Sequence, residues 1–117
     1  MNRGDVVLVD YPFSEGGGSK VRPALVVLAD TYNRKLSHTV VAMISSSPAR
    51  IVGDASQLVL ELGSPELQQS GLWLRSVVMC EHLTAIRQSR VLKTLGTLPA
   101  TAMSRIEGGL KSAFEIG

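Results

Sequence analysis

Apolar runs of strand length recur from one end of this 117-residue chain to the other. The longest, Pro23–Ala29, is far shorter than the roughly 18 residues that a membrane-spanning helix needs. The segments between the runs are short and polar, and they lack the strand–helix alternation of a parallel sheet. We therefore predict a mainly β fold, a small half-open barrel. The five predicted strands are Val6–Val9, Ala24–Leu28, Thr39–Ile44, Leu58–Leu62 and Ser76–Glu81.

Helix signals occur at two places. Ser64 followed by Pro65 is typical of an N-cap and a first helical position, and Gly71 is expected to end that short helix. From near Pro99 the apolar spacing becomes that of an amphipathic helix, so we expect the chain to close with a helix docked on the barrel. The residues expected on its packed face are Met103, Ile106, Leu110, Ala113 and Phe114.

Two polar segments separate the first three strands. Ser14–Lys20 contains three consecutive glycines and is predicted to be an irregular loop. Asp30–Lys35 is predicted to be a turn or a single helical turn.

The composition fits a single domain spanning residues 1–117, because 44% hydrophobic and 19% charged residues suit a packed core rather than disorder. Cys80 is the only cysteine, which excludes an intramolecular disulfide and a thiolate metal cluster and is typical of a reducing compartment. The sequence shows no secretory signal, so we expect a cytoplasmic protein without a membrane anchor. A net charge of +2 is too small to indicate nucleic-acid binding by itself.

Several segments carry a resemblance to a known family. They are Arg3–Asp10, the glycine loop, Val21–Val27, Val40–Ser45, Ser76–Ile86 and the closing helix. Together they resemble the MazF/PemK toxins of type II toxin–antitoxin modules over nearly the whole chain.

The resemblance implies both a fold and a function. The fold would be an SH3-like barrel of the kind shared with the gyrase poison CcdB, assembled as a homodimer. The activity would be sequence-selective, metal-independent cleavage of single-stranded RNA without a cofactor. The partner would be a cognate antitoxin that fills the RNA groove.

Two residues occupy the positions that carry the chemistry in this family, Arg22 before Pro23 and Ser45 after the third strand. A guanidinium stays charged and its planar fork matches two phosphate oxygens, so Arg22 is suited to stabilising a phosphorane. The alternative for Arg22 is an ion pair with Asp5 or Asp10. Ser45 can donate a hydrogen bond to phosphate, or it can belong to an ordinary turn before Pro48.

The acid and base are less well defined. The family commonly has a glutamate five residues before the arginine, where this chain has Gly17. His82 and Glu15 are the candidate replacements, against the alternatives of a hydrogen-bonded strand histidine and an exposed loop glutamate. His38 lies in a polar loop and is expected to be solvated.

Four basic residues in or beside predicted loops are candidates for RNA binding, with a solvated surface as the alternative for each. They are Lys20, Arg34, Arg50 and Arg75. Trp73 either stacks on a base or packs in the fold or at a dimer contact, and we favour packing or an interface. Cys80 is expected to fill the core rather than act as a nucleophile. Metal-ligand spacing is absent from the sequence.

Two other functions remain compatible with the residues. One is a non-enzymatic binding module, either a CcdB-like topoisomerase poison acting at DNA or an inactive toxin that binds only its antitoxin. Gly17 and Ser45, which depart from the family pattern, leave this alternative open. The other is a small barrel of unrelated function.

Overall fold

A computed structural model describes residues 1–12 and 18–117 of the chain. Two 3₁₀ turns, Pro48–Arg50 and Gln88–Arg90, join the regular elements. The described residues form the strands β1 (Asp5–Pro12), β2 (Ser19–Val26), β3 (His38–Ser45), β4 (Gln57–Leu60), β5 (Ser76–Arg87) and β6 (Val91–Thr97), and the helices α1 (Asp30–Lys35), α2 (Pro65–Ser70) and α3 (Ala100–Phe114).

The strands form a six-stranded antiparallel sheet in the order β4-β5-β3-β2-β1-β6. The sheet is not closed, because β4 and β6 lie at opposite edges, and this confirms the predicted half-open barrel. Both of its faces are covered. Val6 and Leu25 belong to one apolar cluster, beneath α3, while Val7 and Val26 belong to a second. Burial on both faces explains why the first run is continuously apolar instead of alternating.

Five of the six strands were predicted, and β6 was not. β6 was missed because Val91–Thr97 contains a lysine and a glycine and leaves most of its side chains exposed at a sheet edge, so it lacks an apolar run. The predicted loop was also too long. Ser19 and Lys20 belong to β2 because the β1–β2 ladder continues to the pair Pro12↔Ser19.

The helix predictions held with one exception. Ser64 caps α2 by accepting a hydrogen bond from the Leu67 N–H at 3.2 Å, and Gly71 ends it with φ 77°. Met103 and Ile106 of α3 are buried. The expectation for Phe114 was wrong, because it is 61% exposed in the last residue of the helix, beyond the part that contacts the sheet. None of the helices in the described ranges is long and apolar enough to cross a bilayer.

The sheet opens between β2 and β3. Within the described chain, these strands pair only from Val26↔Val41 to Ala24↔Met43. Beyond Ala24, β2 continues against β1 alone, whereas β3 continues against β5. Pro23 follows the last pair and has no N–H to donate to a neighbouring strand, which fits the end of the ladder at this point. We call the resulting opening the β2–β3 gap.

Candidate functional site

Arg22 and Ser45 lie on opposite sides of the β2–β3 gap. The register that pairs Ala24 with Met43 would, if continued by two residues, place Arg22 opposite Ser45. Strands β1 and β5 hold the two backbones through Val9↔Arg22 and Ser45↔Val77. The two side chains therefore extend from supported strands at an opening, a position that favours preorganised contacts with a ligand.

Two cavities meet at this gap. The larger, of about 440 Å³, extends from Arg22 toward the loop after α2 and has Leu8, Leu72 and Leu95 among its lining residues. The smaller, of about 250 Å³, extends toward Met43, Met79 and Arg50. Four residues line both cavities and so form the boundary between them. They are Arg22, Ile44, Ser45 and Ser47.

Arg22 is exposed, and in the described part of the chain it makes no ion pair with a carboxylate within 4.0 Å. The carboxylates proposed as its alternative partners are engaged elsewhere. Asp10 lies 3.7 Å from Arg90, and Asp5 accepts hydrogen bonds from the Asn2 N–H at 2.8 Å and the Thr97 hydroxyl at 2.9 Å. With respect to the carboxylates of the described residues, the positive charge of Arg22 is therefore available at the cavity boundary.

Ser45 is half-buried, and its Oγ accepts a hydrogen bond from the Ser47 N–H at 3.1 Å. This is the local turn interaction that was the alternative to a chemical role. The two roles are compatible, because accepting one hydrogen bond leaves the hydroxyl proton free to be donated. The turn orients the Ser45 hydroxyl at the boundary of both cavities.

The segment Gly71–Arg75, which we call the 71–75 loop, borders the larger cavity. It lies directly on β6, because a Cβ at Gly71 would meet the Leu95 carbonyl oxygen at 2.1 Å. Serine hydroxyls hold both of its ends. The Leu72 N–H donates to Ser70 Oγ at 3.1 Å, and the Ser76 hydroxyl donates to the Leu74 carbonyl at 2.8 Å.

Trp73 is at the centre of the 71–75 loop and lines the larger cavity while remaining 88% exposed. Packing within the fold, one part of the favoured prediction, is therefore wrong. The side chain lies on a loop held by hydrogen bonds at both ends, and the described residues leave it uncovered. Stacking on a base and contact with another chain remain as its possible roles.

Arg75, at the end of the same loop, is paired with Glu61. Its Nε contacts Glu61 Oε1, and its Nη2 lies 3.4 Å from Oε2. The hydrogen bond from Arg75 lowers the pKa of Glu61 and raises that of Arg75. The charge of this arginine is compensated by its neighbour, in contrast to that of Arg22.

The other predicted basic residues are dispersed. Arg50 lines the smaller cavity together with Arg22. Lys20 lies on β2 opposite Tyr11, and Arg34 lies on α1. Neither of these two lines a cavity that contains Arg22. The structure thus brings together Arg22, Ser45 and Arg50, but not Lys20 or Arg34.

The acid–base candidates with described positions do not lie at the β2–β3 gap. His82 is exposed at a bulge in β5, where the pairing with β3 jumps from Leu83 to Met79, and it lines neither cavity. His38 is exposed at the start of β3. Glu15 and Gly17 lie outside the described residues. In residues 1–12 and 18–117, no carboxylate or imidazole lines either cavity.

Cys80 is 1% exposed in the cluster beneath α3, so it fills the core as predicted. Burial, with a smaller contribution from Glu81, raises the pKa of its thiol to about 11, which disfavours the nucleophilic thiolate. Among the residues with described positions, no three His, Cys, Asp or Glu side chains are grouped as metal ligands.

The 71–75 loop and Arg22 border one cavity, a proximity that the sequence did not predict. The only sequence signal was Trp73 itself, an aromatic residue flanked by leucines after a helix stop. The contact between Gly71 and Leu95 that positions the loop is long-range, and it involves the strand that was missed.

Comparison with known proteins agrees with this architecture. The sequence-family model that describes PemK-like, MazF-like toxins of type II toxin–antitoxin systems matches residues 2–114. No curated protein sequence matches the chain.

Solved structures share the fold at low sequence identity. An endoribonuclease from a mycobacterial species, in complex with its cognate antitoxin, superposes with a TM-score of 0.77 at 17% identity, covering 100% of this chain and 97% of that one. The Mycobacterium tuberculosis toxin MazF-mt6 gives 0.73 at 20% identity, with 95% and 98% covered. A MazE–MazF structure from Deinococcus radiodurans gives 0.74 at 20% identity, with 100% and 97% covered.

Proposed function

The chain belongs to the PemK-like, MazF-like family of toxins from type II toxin–antitoxin systems, and we propose that it is an endoribonuclease acting on single-stranded RNA. The observation that carries the proposal is the position of Arg22. Its guanidinium, without a carboxylate partner in the described chain, lies with Ser45 at the boundary of two cavities. The endoribonuclease activity of mycobacterial proteins with the same fold supports the same reaction class.

The proposed reaction is an attack of the ribose 2′-oxygen on the adjacent phosphorus. A bond forms between the 2′-oxygen and phosphorus while the bond to the 5′-oxygen of the next nucleotide breaks. The products are a 2′,3′-cyclic phosphate and a free 5′-hydroxyl. Arg22 binds two phosphate oxygens and stabilises the charge that grows on them, and the Ser45 hydroxyl donates a further hydrogen bond.

Proton transfer needs a group that takes the 2′-hydroxyl proton and one that supplies a proton to the 5′-oxygen. From the sequence we keep Glu15 and His82 as the candidates. Because His82 lies at the β5 bulge outside both cavities, Glu15 is the stronger of the two. We expect Glu15→Gln to change the pH profile of cleavage and His82→Gln to leave it unchanged.

We further propose that the protein acts in the cytoplasm on mRNA, as a homodimer, and that a cognate antitoxin blocks the same gap. The antitoxin complexes known for this fold support the last point. An acidic or extended antitoxin segment would compensate the charge of Arg22, which has no carboxylate partner among residues 1–12 and 18–117.

The test is incubation of the purified protein with mixed single-stranded RNA in the presence of a chelator. We expect cuts at defined sequences that resist the chelator and leave cyclic phosphate ends. Arg22→Ala is expected to reduce the cleavage rate by about two orders of magnitude, the loss of about 3 kcal/mol that is typical when one charge-stabilising donor is removed.

Arg34→Ala is the matched control, because it removes an exposed arginine outside both cavities. Equal loss in both variants would refute the role of Arg22. Intact RNA with the wild-type protein, together with retained antitoxin binding, would support the non-enzymatic module instead.

A further inference from the structure

The larger cavity has two chemically different sides. On one side Arg22 and the serines of the β3 end offer a positive charge and hydroxyls. On the other side the 71–75 loop and β6 contribute apolar side chains, Leu72, Leu95 and the exposed Trp73. A ligand that matches both sides carries an anionic group joined to a flat ring system whose faces can stack. A nucleotide has this composition.

Trp73 is held in position although it is exposed. The hydrogen bonds of Leu72 and Leu74 with the flanking serines restrain the loop on either side of it. Gly71 brings the start of the loop onto the backbone of β6. The indole is 88% exposed, so it leaves a large apolar surface in water. Because the loop is restrained, a movement of the loop does not bury this surface. The side chain is therefore preorganised to stack on a partner.

We infer that Trp73 is a specificity-determining residue that stacks on a nucleobase next to the scissile phosphate. The inference rests on the proposed function, because it takes Arg22 and Ser45 as the phosphate site. The scissile phosphate lies at the boundary of the two cavities, so the nucleosides on either side of it enter one cavity each. The larger cavity receives the base that stacks on Trp73.

The chemistry of the two cavities favours this arrangement over the reverse. The smaller cavity is lined by Met43, Met79 and Arg50, and in the described residues it offers no aromatic face. The larger cavity offers the only tryptophan in the chain. Aromatic stacking accepts any base but favours those that stack strongly, so selectivity at this nucleotide is graded rather than absolute.

The single tryptophan makes a direct test possible, because intrinsic tryptophan fluorescence reports on Trp73 alone. The probe is a randomised, non-cleavable 2′-O-methyl RNA heptamer, titrated into the purified wild-type chain. We expect its bases to quench the fluorescence. A heptamer of abasic ribose phosphates, which keeps the charge but has no bases, is expected to bind without quenching.

The variants Trp73→Phe and Trp73→Ala separate stacking from simple bulk. We expect Trp73→Phe to keep affinity within about threefold and Trp73→Ala to lose about tenfold. Sequencing of the cut ends from a randomised cleavable RNA is expected to show weaker selection at one nucleotide beside the cut in Trp73→Ala. Leu92→Ala, which removes another exposed apolar side chain outside both cavities, is expected to change neither.

Two results would overturn the inference while leaving the nuclease intact. One is unchanged RNA affinity and cut pattern in Trp73→Ala. The other is a loss confined to antitoxin binding or to dimerisation, measured by sedimentation, which would make Trp73 a protein contact. By contrast, RNA left uncut by the wild type, with no difference in Arg22→Ala, would refute the proposed function itself.

Discussion

Two arginines near the larger cavity differ in what surrounds them: Arg22 lines the cavity, and Arg75 lies between its lining residues Leu74 and Ser76. Arg22 extends from β2 into the β2–β3 gap and has no carboxylate within ion-pair distance in the described chain. Arg75, at the end of the 71–75 loop, is held by both oxygens of Glu61. The comparison indicates that, among the described residues, the charge of the arginine that lines the cavity is available, whereas the charge of the arginine next to the exposed Trp73 loop is compensated.

The largest effect is expected from Gly71→Ala, which tests whether the loop side of the cavity is built by close backbone contact. Alanine would combine a positive φ with a Cβ 2.1 Å from the Leu95 carbonyl oxygen. We expect a loss of about 3 kcal/mol in the free energy of unfolding, measured by urea denaturation. Gly63→Ala has a similar φ of +79° and open space around its Cβ, so it should lose only about 1 kcal/mol. Equal losses would show that the contact contributes nothing.

Exchange of each arginine for lysine tests the comparison itself. Lysine keeps the charge but loses the planar fork that binds two phosphate oxygens. We expect kcat/KM for RNA cleavage to fall about tenfold in Arg22→Lys and to stay within twofold of wild type in Arg75→Lys. Similar kcat/KM values for the two variants would show that the two arginines do not differ in their contribution to cleavage.

A smaller effect is expected at Ser45, where the turn and the chemical role can be separated. In the proposed role, Ser45 donates a hydrogen bond to phosphate worth about 1 kcal/mol, so Ser45→Ala should slow cleavage about fivefold. Ser45→Thr keeps the hydroxyl and restricts its rotamer, so it should cleave at the wild-type rate or faster. If Ser45→Ala changes the unfolding midpoint and leaves the cleavage rate unchanged, Ser45 has only the turn role.

These residues also show what the sequence could and could not predict. The central strands were predictable because burial on both faces leaves long aliphatic runs, as at Val6–Val9. β6 was not, because an edge strand keeps one side in water and can contain Lys93 and Gly96. Arg22 and Ser45 were identified through a family resemblance. Their juxtaposition depends on a cross-strand register that sequence spacing does not contain.

The loop side of the cavity was even harder to predict from the sequence. Trp73 lines the Arg22 cavity only because α2 packs against β6, where Gly71 and Gly96 let two backbones approach. A Cβ at Gly96 would meet the Gln69 carbonyl oxygen at 2.1 Å. In the sequence, each glycine by itself indicates only a turn or a break in a strand. The close approach of Gly71 to Leu95 and of Gly96 to Gln69 is a tertiary contact, and it could not be inferred without knowledge of β6.

The smallest effect is expected from releasing the compensated arginine. Glu61→Gln keeps the size of the side chain but removes the charge that holds Arg75, so a cation becomes available beside the cavity. We expect RNA affinity at low salt to rise two- to threefold, with a dependence on salt concentration that is steeper by about one phosphate contact. Filter binding to a 2′-O-methyl RNA at several salt concentrations measures both.

Glu107→Gln is the matched control for this change, because it releases Arg3 from a 3.8 Å pair and shifts the net charge by the same amount at an exposed site away from both cavities. If both variants bind RNA equally well, the gain comes from net charge and not from Arg75. The pH dependence gives a further check. Arg75 lowers the pKa of Glu61, so the pair persists at neutral pH and is lost only as pH falls through that lowered value. The difference between wild type and Glu61→Gln should therefore be constant at neutral pH and vanish only in acid.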